Sequence, residues 1–150
     1  MSAIDSFKAR IGQTNTSDWF TVDQPRVNAF ADVTEDHQFI HVDPERAKAE
    51  TPFGGPIAHG FLTLSMLSKF GAEALPAFPE KAIGINYGFD KVRFLSPVPV
   101  GAKVRGKFTL ADVTERKPGQ YQLTQDVEVE IEGQDTPALA AKWLSLVVTG

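Results

Sequence analysis

The chain has 150 residues, a formal net charge of -4, a pI near 5.3 and no cysteine. Without cysteine there are no disulfides, thiolate nucleophiles or cysteine-bound metals, and an acidic total argues against a nucleic-acid binder, which needs a basic face to release counterions from phosphates. The N-terminal run lacks the basic-then-apolar order of a secretory signal and no apolar run approaches the ~18 residues of a membrane span, so the expectation is one soluble, cytoplasmic domain over residues 1–150 with neither nucleic-acid nor membrane partners.

In chain order, Asp18 to Val22 reads as a short strand leading to Asp23, a plausible N-cap for a helix carrying Val27, Phe30, Ala31 and Val33 and ending near Asp36. Asp43 caps a second short helix, with Pro44 at the first helical position, where its missing N–H costs nothing. Thr51 to Pro56 is rich in Gly and Pro and forms a loop. From Ile57 to Leu75 apolar residues fall on nearly every side, which predicts one buried helix that Pro76 stops. The period then changes to two. Ile83–Leu95 is a strand that Gly84 and Gly88 bend or bulge, and 102–110, 121–131 and 138–148 are further strands separated by Gly/Pro turns. One apolar helix followed by four long antiparallel strands predicts an α+β fold in which the sheet wraps around the helix.

The chemistry-bearing residues cluster in the first half. Phe30-Ala-Asp-Val-Thr-Glu-Asp36-His-Gln-Phe-Ile-His41-Val-Asp-Pro44 sets a carboxylate and an imidazole five residues apart, and Ile57-Ala-His-Gly60-Phe-Leu-Thr-Leu opens the apolar helix with a glycine. Helical partners stand three or four residues apart, so this spacing suggests a turn that aims Asp36 and His41 into one cleft. Such a pair can take a proton from water and return one to carbon. The first N–H groups of a helix lack internal partners and lie at its positive end, so Gly60 offers a donor for a developing oxyanion that a substrate can approach closely.

These residues resemble the MaoC-like dehydratases, which include the (R)-specific enoyl-CoA hydratases, and the order Asp36-His-Gln-Phe-Ile-His41 is most similar to the subgroup named after nodulation protein N. The family signature is Gly-Asp-x-Asn-Pro-x-His. Asp36 and His41 match its acid/base residues, while Glu35, Gln38 and Phe39 stand where the family has Gly, Asn and Pro. The resemblance implies a hot-dog fold and a homodimer. It further implies reversible addition of water to a trans-2-enoyl-CoA, with Asp36 and His41 holding the water, Gln38 orienting them and the Gly60 N–H holding the thioester oxygen. Coenzyme A enters as part of the substrate, with no separate cofactor. An acyl-CoA thioesterase and a non-catalytic acyl-thioester binding module remain as alternatives.

Lys91 and Arg93, and then Lys103, Arg105 and Lys107, recur at alternate strand positions. Arg93, Lys103 and Arg105 are candidates for the coenzyme A phosphates; the competing reading is a solvated face balanced by Glu128 and Glu130. His37 is read as a solvent-facing or loop-buttressing group, His59 as a structural hydrogen bonder, and Thr63, Ser65 and Ser68 as side chains bonded back to helix carbonyls. A metal site from Asp36, His37 and His41 lacks a closed four-ligand spacing.

Overall fold

The computed structural model describes residues 3–78 and 81–149. In chain order the elements are α1 (Ala3–Lys8), β1 (Thr14–Thr16), β2 (Phe20–Thr21), α2 (Gln24–Thr34), α3 (Phe39–Val42), α4 (Pro44–Glu50), α5 (Gly60–Ser65), α6 (Leu67–Ala74), β3 (Ala82–Phe94), β4 (Lys103–Lys117), β5 (Gln120–Ile131) and β6 (Leu139–Thr149). The caps act as their residue types dictate. Asp23 accepts from the Arg26 N–H at 3.0 Å to start α2, and Asp43 accepts from the Arg46 N–H at 3.1 Å to start α4. Residues α1 and β1 occupy carry no strong pattern; α1 is held by Phe7, whose buried ring meets Tyr121 and Phe78 edge-on.

All strand pairings are antiparallel, in the order β1-β4-β5-β6-β3, with β2 also pairing with β4. The bend foreseen in β3 is present as register shifts between Asn86 and Gly88 and between Phe89 and Lys91. Alternation along β4 and β5 turns Val104, Phe108, Val127, Val129 and Ile131 inward against Leu62, Leu67 and Phe70 of the helices. Fully burying a side chain such as Phe70 contributes about 1.5–3 kcal/mol. This is a hot-dog-like α+β arrangement.

Two expectations need correcting. The helix predicted over 57–75 begins at Gly60 and is divided at Met66 into α5 and α6. Met66 has ψ -9 and its N–H is shared between the Leu62 and Thr63 carbonyls, while the Ser65 hydroxyl donates to the Phe61 and Leu62 carbonyls, which draws the turn tight and interrupts the α-ladder. Nor is the helix pair enclosed. Phe61 is 68% exposed and Ser65, Ser68, Lys69, Ala72 and Glu73 face outward, because the sheet is not strongly curled and covers one side only. Val33, placed on the apolar face of α2 by the sequence, is also exposed.

Helix and sheet approach closely at Gly106, where an added Cβ would stand 2.7 Å from Cβ of Phe70 and 2.7 Å from Cε2 of Phe108. Gly106→Ala therefore destabilises the fold by about 1–3 kcal/mol through overpacking, read as a thermal midpoint lowered by roughly 3–10 °C. Gly55→Ala, with no neighbour within 4 Å, leaves the midpoint unchanged.

Candidate active site

The site is assembled by main-chain hydrogen bonds at three chain reversals. α2 ends at Glu35, which adopts the left-handed conformation with φ 60, and the Asp36 N–H donates back to the Ala31 carbonyl at 3.1 Å. A glycine would adopt that φ without steric cost, which explains why the related signature has one there. The turn delivers Asp36, whose Oδ1 accepts from the Gln38 N–H at 3.3 Å, and the Gln38 carbonyl accepts from the His41 N–H at 3.0 Å. The expected turn is thus a turn followed by one helical revolution, α3. α3 is tied to the start of α2 by Gln24, whose Nε2 donates to the His41 carbonyl at 2.8 Å, and to residue 57 by Ile57 N–H donating to Ile40 at 2.9 Å.

His41 is 7% exposed, and its Nδ1 lies 2.7 Å from the Ile57 carbonyl. A carbonyl only accepts, so Nδ1 carries the hydrogen and the neutral ring presents its Nε2 lone pair. Burial pushes the His41 pKa below its ordinary 6.5; the Ile57 carbonyl opposes this, His59 adds to it, and Asp36 opposes it. His59 precedes α5 and is buried between Phe30, at 5.0 Å, and His41, on which it stacks at 3.8 Å. Its Nε2 donates to the Asp36 carbonyl at 3.0 Å. Asp36, His41 and His59 each bring a side-chain N or O atom within 4.8 Å of the others. One water spans that distance with two hydrogen bonds of about 2.8 Å.

The three groups also invite a metal, but the imidazoles stack with their planes only 23° apart. An ion lying in the plane of one ring would be out of the plane of the other. The donor set therefore fits a bridging water better than an ion.

His41 lines a cavity of about 380 Å³ together with Gly60, Thr63, Phe94, Ser96 and Leu139. An added Cβ on Gly60 would stand 3.0 Å from the Phe94 ring, so the start of α5 meets this wall through bare backbone. Gln38 contributes its main chain to the loop, and its side chain is exposed. His37 turns away to Asp32 at 2.8 Å. Arg93 precedes the cavity-lining Phe94, whereas Arg105 donates to Glu130 at 2.9 Å and stacks over Trp19 at 4.3 Å. Lys103 and Arg105 alternate with inward Val104 and Gly106 and so lie on the sheet face away from the helices. His59 is the structural hydrogen bonder that the sequence suggests, while Gln24 and the ring contact of Phe30 were not foreseen as parts of the site. Only adjacency to Gly60 marked His59; the stacking partners come from distant segments.

Three comparisons with known proteins bear on this geometry. Residues 6–131 match the family described as MaoC like domain. The chain is 50% identical over 145 residues to nodulation protein N of Rhizobium meliloti (strain 1021), covering 96% of this chain and 90% of the relative. It is 48% identical over 133 residues to the 3-hydroxyacyl-thioester dehydratase Z of Mycobacterium tuberculosis, covering 89% and 85%. Among solved structures, the (R)-hydratase from A. caviae involved in PHA biosynthesis superposes with a TM-score of 0.71 at 27% identity, covering 93% of this chain and 96% of that one.

A histidine whose pKa is lowered on folding binds its proton more tightly in the unfolded chain. Its contribution to stability is complete above about pH 6.5 and is lost as the pH falls through the lower, folded value. Urea unfolding from pH 7.5 to 5 should show stability declining below pH 6.5, with a shallower decline in His41→Gln; an identical decline in both proteins would remove His41 as its source.

Proposed function

The chain belongs to the MaoC-like dehydratase family, and we propose that it is an (R)-specific enoyl-CoA hydratase, adding water reversibly to a trans-2-enoyl-CoA to give the (R)-3-hydroxyacyl-CoA. The observation that carries this reading is the approach of Asp36 to a neutral, Nδ1-protonated His41 in the wall of a cavity that the start of α5 also lines. Asp36 and His41 hold one water. As its oxygen bonds to C3, His41 Nε2 takes a proton, and the electrons of the C2–C3 double bond move toward the thioester oxygen. The Gly60 N–H stabilises that enolate oxygen, a fixed donor being worth most where charge develops. The proton is then returned to C2, which restores the neutral imidazole and completes the addition. Gln38 sets the spacing of Asp36 and His41 through its N–H and C=O.

Arg93, the chain neighbour of cavity-lining Phe94 and bonded among the described residues only to the Val92 carbonyl, is the first choice for the coenzyme A phosphates, with Lys103 and Arg105 as secondary contributors because the Arg105 guanidinium is paired with a carboxylate. The proposed setting is the cytoplasm; no helix among the described residues is long and apolar enough to cross a membrane. The proposed assembly is a homodimer. Among the described residues β3 ends the sheet order with one side unpaired and carries Ile83, Ile85, Tyr87 and Phe89 exposed, Ile83 to 62%, with exposed Phe94 and Leu95 at its end. A long apolar edge is a template for pairing, and a second copy covers it symmetrically.

The test is hydration of crotonyl-CoA, followed by loss of the conjugated thioester absorbance and by the chirality of the product. Asp36→Asn and His41→Gln should each lower kcat by at least ~10²-fold, whereas Glu35→Gln and His37→Gln should keep most activity. Full activity in Asp36→Asn, or equal losses in all four, defeats the assignment. Thiol release from a saturated acyl-CoA would instead mark a thioesterase. Independently, sedimentation should give about twice the 16.4 kDa chain mass, and Ile83→Lys with Ile85→Lys should give monomer; a wild-type monomer at micromolar concentration contradicts the dimer.

A further inference from the structure

Among the described residues Arg10 alone of the arginines has no partner. Arg46 and Arg105 pair with Glu50 and Glu130, Arg26 lies over the Phe20 ring, Arg93 donates to the Val92 carbonyl and Arg116 to Gln122. Arg10 is half-buried, yet its guanidinium makes no hydrogen bond, ion pair or ring contact with any of them. A guanidinium is a planar fork of five donors, and a carboxylate is the partner that fills it best.

Arg10 stands in the wall of a second cavity, a groove of about 400 Å³ open along one side, where the outward-facing Ser68 and Ala72 form part of its rim. The groove shares no lining residue with the cavity at His41. Leu75, Ile85, Leu123 and Trp143 make most of its surface apolar, and Ile85 and Phe78, 45% and 36% exposed, leave part of that surface in water. Among the described residues Arg10 is the one charged group in the wall, and no Asp or Glu lines it. In a chain of net charge -4 this is a local inversion. An apolar groove with one uncommitted cation matches a ligand with an aliphatic body and one carboxylate.

We propose that this groove binds a free fatty acid, whose carboxylate pairs with the Arg10 guanidinium while its chain lies against Leu75, Ile85 and Trp143. A neutral lipid would leave the arginine without a partner, and a small anion would leave the apolar wall in water. A carboxylate on an aliphatic chain answers both. The opening to solvent and the separate lining favour a free molecule over the tail of a substrate held at His41, so the inference goes beyond the hydratase reading and does not rest on it.

Trp143 reports on occupancy, since the chain has two tryptophans and Trp19→Phe leaves it as the sole tryptophan emitter. In that background, octanoate and the uncharged octanamide are titrated against tryptophan fluorescence at pH 7.5. Octanoate should bind saturably and at least about tenfold more tightly than octanamide, the ratio expected for a hydrogen bond between charged groups. Affinity should rise about fourfold for each CH2 added from butyrate to octanoate. Arg10→Gln should abolish the preference for the acid and leave octanamide binding unchanged. Its thermal midpoint should match that of the parent, because no described contact of the guanidinium is lost. Lys8→Gln removes an exposed neighbouring charge that does not line the groove and should change neither affinity. Absence of saturable binding, as when a second copy of the chain fills the groove, overturns the proposal. So does a preference for octanoate that survives Arg10→Gln, or an affinity independent of chain length. Fluorescence requires no turnover, so failure here is separable from failure of the hydratase reading.

Discussion

The hydrogen bond from His41 Nδ1 to the Ile57 carbonyl, 2.7 Å long, is the contact on which the site depends. It fixes which nitrogen carries the hydrogen and so which one presents its lone pair. It also ties α3, which carries His41, to the strand-like segment that leads into α5, and hence to Gly60. A carbonyl at this position stabilises the imidazolium as well as orienting the neutral ring, while burial works the other way. The result is a histidine biased toward its neutral form, with the free lone pair that the proposed proton transfer needs.

His59 completes this arrangement from the far side. Stacked on His41 and bonded to the Asp36 main chain, it links the loop that carries Asp36 and His41 to the helix start. The reading of His59 as a structural hydrogen bonder agrees with that bond, although the sequence does not reveal what it holds. The Asp36 carboxylate is half exposed, whereas His41 is nearly enclosed. The pair therefore spans the boundary between solvent and protein.

Much of the architecture is legible in the residues because it is governed by local rules. Asp23 and Asp43 are caps by their chemistry, the strands announce themselves by a period of two, and Asp36 and His41 stand where a turn separates helices. The divided helix was not legible. An apolar count over 57–75 weighs Phe61, Leu64 and Ala72 as buried, but which side of a helix the sheet reaches depends on sheet curvature, a property of the assembled strands. Likewise Arg105 looks like a free cation until β5 is laid beside β4, which brings Glu130 into register with it.

The central claim is that Asp36 and His41 act on one water as a unit, and a double-mutant cycle on hydration of crotonyl-CoA tests it most directly. If both groups hold the same water, Asp36→Asn combined with His41→Gln should have a kcat within a few-fold of the worse single variant, since groups that work as a unit are strongly non-additive. Losses that multiply, so that the double variant is slower by the product of the two single effects, would show that the residues act independently and would contradict the account.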